Sequence, residues 1–180
     1  AQHTLALVAL PPWALIQLAG NTVLIDNGDA TPASTDGTDF GSTALLNDQT
    51  TRSFTLSNLG GARLDLTGQD PIQISGEAAA DFTVTSQPAP SVAVSGNTHF
   101  AITFNPRFPG PRRAIVTIPS NSREASSYTF VITGFGAISR LKTQTISFSP
   151  RAKAYLNQSP IPLTATANSG LPVTITLVSG

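Results

Sequence analysis

The chain has 180 residues, ten acids against ten bases, no Cys, no Met, 14 Gly and 14 Pro. That length allows one large or two small domains, and 40% apolar residues with no net charge exclude a disordered polyelectrolyte. Charged residues are only 11%, roughly half the usual share, with Ser, Thr, Asn and Gln in their place, which favours an all-β chain over a helical enzyme, a nucleic-acid binder or a membrane protein.

Thr4–Leu10 is apolar on both faces of any strand it forms. Such a run suits a strand covered on both sides, and left free it is an aggregation hazard. Pro11 and Pro12 end it, because neither has an N–H to continue a ladder. The longest apolar stretch, Leu5–Leu18, is short and broken by these prolines, so no transmembrane helix is expected. With no Met anywhere, the chain is expected to be processed or a piece of something longer. Ala1-Gln2 suits a mature N-terminus left by cleavage after a small residue of a secretory signal, hence a secreted or cell-surface protein. The lack of Cys removes disulfides, thiolate nucleophiles and zinc–thiolate sites.

Asp26, Asn27, Asp29, Asp36 and Asp39 fall within fourteen residues that contain no base. Carboxylates and carbonyls crowded on a glycine-rich loop are what a hard cation binds, with six to eight oxygen ligands. Asp26, Asp29, Asp36 and Asp39 are therefore candidate metal ligands, and calcium is the candidate ion. The alternative is that each side chain caps its own turn. Both readings stay open on the sequence.

Period-2 alternation then recurs at short spacing with turn residues between the runs. Arg52–Asn58 places Phe54 and Leu56 on one face, and Asn58-Leu59-Gly60-Gly61 supplies a turn. Ala62–Leu66, Pro71–Ile74, Asp81–Thr85 and Ser91–Val94 read as short strands, and Ser95-Gly96-Asn97 as a turn. His99–Phe104 is the cleanest strand, with Phe100, Ile102 and Phe104 on one face. Arg107–Arg112, carrying Pro109-Gly110-Pro111, reads as a break, after which Ala114–Ile118 and Tyr128–Thr133 resume the pattern and Gly134-Phe135-Gly136 closes the domain. The predicted fold over residues 13–136 is an Ig-like β-sandwich. Its predicted core holds Phe54, Leu56, Phe82, Val84, Phe100, Ile102, Phe104, Phe130 and Ile132.

Ala137–Gln144 reads as a linker. Thr145–Phe148, Ile161–Ala167 and Val173–Val178 are three more strand candidates, so residues 145–180 form an incomplete second Ig-like unit. Three strands with one apolar face persist only if something covers that face. Charge is uneven along the chain: residues 1–81 hold nine acids and two bases (−7), and residues 82–180 hold eight bases and one acid (+7). A fold that simply places its acidic loops first gives such a pattern; the alternative is a molecule with one acidic and one basic region, which favours head-to-tail association.

Catalysis finds little support. His3 and His99 are the only histidines, and Glu77 and Glu124, the only glutamates, have no obvious partner. Arg107, Arg112 and Arg113 around Phe108 and Pro109 read as a solvated loop in preference to a polyanion site. Trp13, Tyr128 and Tyr155 read as packing residues in preference to a sugar platform.

Gly20–Gly136 resembles the choice-of-anchor D, or hydin-like, Ig-type domain. The resemblance lies in Asp26-Asn27-Gly28-Asp29-Ala30-Thr31-Pro32 and Thr35-Asp36-Gly37-Thr38-Asp39-Phe40-Gly41, then Arg52–Asn58, Ile74-Ser75-Gly76 with Ala80–Val84, Phe100–Pro106 and Tyr128–Gly134. It implies a repeat of large exported bacterial surface proteins with structural or adhesive roles. Gln144–Gly180 is similar to the start of another such repeat. The expected function is a non-enzymatic subunit of a surface filament, with Leu5, Leu7, Val8 and Leu10 of one copy adding as a strand to the next. Its expected partner is itself, head to tail. A fragment of a long adhesin or stalk, and a carbohydrate-binding module that contacts surface glycans, are the alternatives.

Overall fold

The computed structural model describes residues 9–45, 48–138, 144–148 and 164–176. Two units divide the chain, Ala1–Ser139 and Arg140–Gly180. In the first, the strands are β1 (Ile16–Gly20), β2 (Val23–Ile25), β3 (Asp39–Ala44), β4 (Thr50–Asn58), β5 (Leu64–Asp65), β6 (Gln73–Ser75), β7 (Phe82–Ser86), β8 (Ser91–Val92), β9 (Asn97–Phe104), β10 (Gly110–Pro119) and β11 (Ser127–Ala137). One sheet runs β2-β1-β4-β9-β7 and the other β3-β11-β10-β6, with β5 paired to β8. Among the named strands of the described residues, β3 beside β11 is the parallel pair and the others are antiparallel. The N-terminal part of the unit thus serves both sheets, β1 in one and β3 in the other. The result is an all-β, Ig-like sandwich.

Alternation builds the core. In β4, Phe54, Leu56 and Asn58 are buried while Thr55 and Ser57 between them are half-buried and Thr51 and Ser53 before them are exposed. Phe54 stacks on Phe100 at 5.2 Å and meets Phe130 at 5.7 Å; Phe82 stacks on Phe104 at 4.7 Å, with Phe40 edge-on to both. Eight of the nine predicted core residues are buried, and Val84 is partly buried against the same cluster. The sheets approach closely where β11 carries Gly134, because a Cβ there would lie 2.5 Å from the Phe104 ring.

Three differences from the sequence reading have physical causes. β1, β2 and β3 were not anticipated, since β2 has only three residues and β3 is interrupted by Gly41 at φ 72°. Their pairing with β4 and β11 supplies what local propensity lacks. β10 starts at Gly110 and continues through Pro111. The carbonyls of Arg113 and Pro119 turn away from β11 to accept N–H bonds from Ala78 and Thr67. Pro111 shares their parity, so its missing N–H removes no bond to β11. Last, β11 runs on past the expected strand end at Thr133, through Gly134–Gly136 to Ala137.

The registers also give the sandwich two ends. β4 runs from Thr50, opposite Phe104, to Asn58, opposite Ile16. The chain joins β1 at the Asn58 end, where Gly61 N–H donates to the Pro11 carbonyl at 2.6 Å. It leaves β11 at the other end, where Gly136 pairs with Gly110 and Leu45 N–H donates to Ala137. These are called the Trp13 end and the Phe108 end below.

In the second unit β12 (Ile146–Phe148) pairs antiparallel with β13 (Ala165–Ala167). Of the expected Val173–Val178 strand, residues 173–176 carry no strand pairing, and 177–178 lie outside the described residues. Ile146, Phe148, Leu171 and Ile175 are 58%, 48%, 63% and 44% exposed.

Candidate functional site

A cleft of about 230 Å³ opens at the Trp13 end. The departure of β2 from β1 creates it: their last paired residues are Leu18 and Ile25, so Ile16 and Gln17 of β1 have no strand on that side. The β10–β11 connection crosses the gap instead. Ser122 Oγ accepts the Ile16 N–H at 3.2 Å, and Arg123 N–H donates to the Ala14 carbonyl at 3.3 Å. Between that crossing and β2, the cleft is lined by Leu15, Leu24 and Leu59 together with Asp26 and Glu124. The cations at this end are engaged: Arg63 pairs with Asp65 at 2.8 Å, and the Arg123 guanidinium lies 4.4 Å from the Trp13 ring centroid. Asp26 and Glu124 form no ion pair among the described residues.

Tyr128 also lines the cleft, and its hydroxyl donates to the Ile25 carbonyl. Burial, then the charges of Asp26 and Asp29, push its pKa up to about 12. Because the folded value lies above the ordinary value near 10, the protonated phenol stabilises the fold fully below pH ~10, and that contribution is lost as pH rises towards 12. Urea unfolding of the wild type should therefore lose about 2 kcal/mol more across that window than Tyr128→Phe does. Parallel curves for the two proteins would remove Tyr128 as the cause.

The four aspartates do not converge. Asp29 accepts the N–H and hydroxyl of Thr31 at 2.9 and 2.6 Å, and these bonds hold its carboxyl below the usual range. Asp36 accepts the N–H and hydroxyl of Thr38 at 2.9 and 2.6 Å, and Asp39 accepts the Gly41 N–H at 2.9 Å. Backbone pairing sets Asp29 opposite Phe130 and Asp39 opposite Thr133, roughly 10 Å apart along β11. Among the described residues no three His, Asp or Glu side chains gather to hold a metal ion. Three of the four carboxylates cap turns, and the fourth, Asp26, faces the cleft. The turn-capping reading describes this loop.

Other candidates disperse as well. Tyr128 is 6% exposed, too buried for a sugar platform with Trp13, and Tyr155 lies outside the described residues. Arg112 pairs with Asp81, and Arg113 reaches the Ala30 carbonyl at 3.4 Å. They line a second cleft of about 240 Å³ with Glu77 and Pro111. His99 Nδ1 meets the Thr55 hydroxyl at 3.1 Å on the polar face of its sheet. Leu5, Leu7, Val8 and His3 lie outside the described residues; Leu10 is described and exposed. Sequence reasoning missed Leu15, Leu24, Leu59 and Glu124 as neighbours, and no local pattern links Glu124 to Asp26 across the intervening strands.

No family model matches the sequence, and no curated protein matches it. Among solved structures the chain is similar to a protein of unknown function from Porphyromonas gingivalis W83, at 15% identity over 71% of this chain and TM-score 0.49. The chain spans about half of that protein, 49% of its length. It is also similar to the ASH / PapD-like domain of human CEP192, at 14% identity, 77% of this chain, 96% of that one and TM-score 0.45. A third is WR4, a C. elegans MSP family member, at 12% identity, 57% of this chain, 94% of that one and TM-score 0.37. At such identities the likeness concerns sandwich architecture alone.

Proposed function

We propose that this chain is a non-enzymatic, extracellular structural subunit that assembles end to end by strand addition, the Thr4–Leu10 run of one copy covering the second unit of another. The observation that carries this is the exposure of Ile146, Phe148, Leu171 and Ile175 around a two-stranded sheet. A lone hairpin is marginal in water, and a further strand over its apolar side chains stabilises it. The layout of the sandwich supports the same reading, since the chain joins it at the Trp13 end and leaves at the Phe108 end, as a linear string of units requires. A contact of this kind is heterologous and grows a filament unless its rotation closes a ring. The resemblance of Gly20–Gly136 to choice-of-anchor D domains supports an exported surface protein, and the same layout also suits a stalk of tandem repeats.

Deleting residues 1–10 is the test. The intact 18.7 kDa chain should form filaments visible by electron microscopy, and the truncated chain should run as a folded monomer in light scattering. Polymerisation of the truncated chain would overturn strand addition, as would an intact chain that stays monomeric when concentrated. A natural protein much heavier than 18.7 kDa, without filaments, would support the stalk.

A further inference from the structure

We infer that the cleft at the Trp13 end docks the basic segment 140–153 of a second copy of this chain, a reading that rests on the end-to-end assembly proposed above. The two units partition the charge. Residues 1–139 hold all ten acids and six of the ten bases, a net −4, while residues 140–180 hold the other four bases and no acid, a net +4. Those four are Arg140, Lys142, Arg151 and Lys153. The chain leaves the sandwich at the Phe108 end on its way to them, so in a polar string the basic segment of one copy meets the Trp13 end of the next.

The chemistry of the cleft suits such an occupant. Lys and Arg bury their aliphatic stems along apolar surface and keep the charged head at a polar rim. Here three leucines, Leu15, Leu24 and Leu59, share the lining with two acidic residues, Asp26 and Glu124. About 230 Å³ accommodates one or two such side chains, not a whole strand. Neither arginine at this end is ion-paired with these two carboxylates: Arg63 pairs with Asp65, and the Arg123 guanidinium lies over the Trp13 ring. Asp26 and Glu124 are both exposed, so their charges can be removed without opening the core. Complementary charge at such a contact sets polarity and register more than affinity, so the docked segment would fix which way round copies join.

The experiment uses a fluorescein-labelled peptide of residues 137–156, titrated by anisotropy onto the full chain at low and high salt. Against wild type, the Asp26→Asn/Glu124→Gln double variant should bind the peptide about three- to tenfold more weakly, with most of the salt dependence gone and unchanged melting. A peptide with its four bases changed to Glu should lose wild-type binding and recover it on Asp26→Lys/Glu124→Lys, which keeps the test valid if one protein variant misfolds. Equal affinity of wild type and double variant for the native peptide, or no binding at low salt, overturns the inference. Filaments from the intact chain alongside such indifference would sink the cleft and leave strand addition standing. Cleft-dependent peptide binding by a chain that never polymerises would do the reverse.

Discussion

Phe100→Ala should lower the unfolding free energy by about 3–5 kcal/mol in urea, among the largest effects of any single truncation in the sandwich. Phe100 is 1% exposed and stacks on Phe54, whose other neighbour is Phe130 of the opposite sheet. Removing the ring takes away one end of a three-ring row, Phe100–Phe54–Phe130, that spans both sheets. β9 is itself hydrogen-bonded to β4 on one side and β7 on the other, which limits how far its backbone can shift to close the hole. Phe100→Leu refills most of that volume and should cost about 1–1.5 kcal/mol. His99→Ala, one residue away on the polar face, should change stability by less than about 0.5 kcal/mol. Equal losses at positions 99 and 100 would refute the inward assignment of Phe100.

That alternation is the part of the fold most legible in the sequence. Phe100, Ile102 and Phe104, or Phe54 and Leu56, declare their face because the residues between them, Ala101, Thr103 and Thr55, are small. β1 is less legible although it is equally buried, since Gln17 and Ala19 make a weak contrast with Ile16 and Leu18. β3 depends on a parallel partner more than ninety residues later in the chain, and no local pattern encodes it. The prolines at 109 and 111 imply a break only while the strand's free side is unknown. The acidic loop was legible as a cluster but not as a geometry. Oxygen-rich side chains two residues before an N–H find that N–H first, and Asp29, Asp36 and Asp39 do so. The cleft was legible only in its parts, because it forms where two segments diverge and a third crosses between them.

Asn58 has a comparable effect for the opposite reason, since it is the polar residue at an inward position. Alternation of Phe54 and Leu56 continues to residue 58, which is 0% exposed. Its Oδ1 accepts the N–H groups of Leu15 and Gly60 at 3.3 and 3.0 Å. Its Nδ2 donates to the carbonyls of Ala62, Val92 and Ala93 at 2.8, 3.2 and 3.2 Å. One amide thus joins the approach to β1, the turn after β4 and the end of β8, and satisfies five backbone groups around it. A buried backbone group left without a partner costs about 1–3 kcal/mol. Some of the five regain water at this end of the sandwich, so Asn58→Ala should cost about 3–5 kcal/mol in urea unfolding. Asn58→Asp is nearly isosteric and discriminates sharply. It keeps the acceptor oxygen but turns a carboxylate towards three carbonyls, so at neutral pH it should destabilise at least as much as alanine does. A near-neutral Asn58→Asp would mean that the Nδ2 bonds contribute nothing and that shape alone holds this end closed. Because Leu15 and Leu59 flank the same amide and line the Trp13-end cleft, Asn58→Ala should also loosen that cleft. A destabilising Asn58→Ala that leaves peptide binding at the cleft unchanged would separate the two.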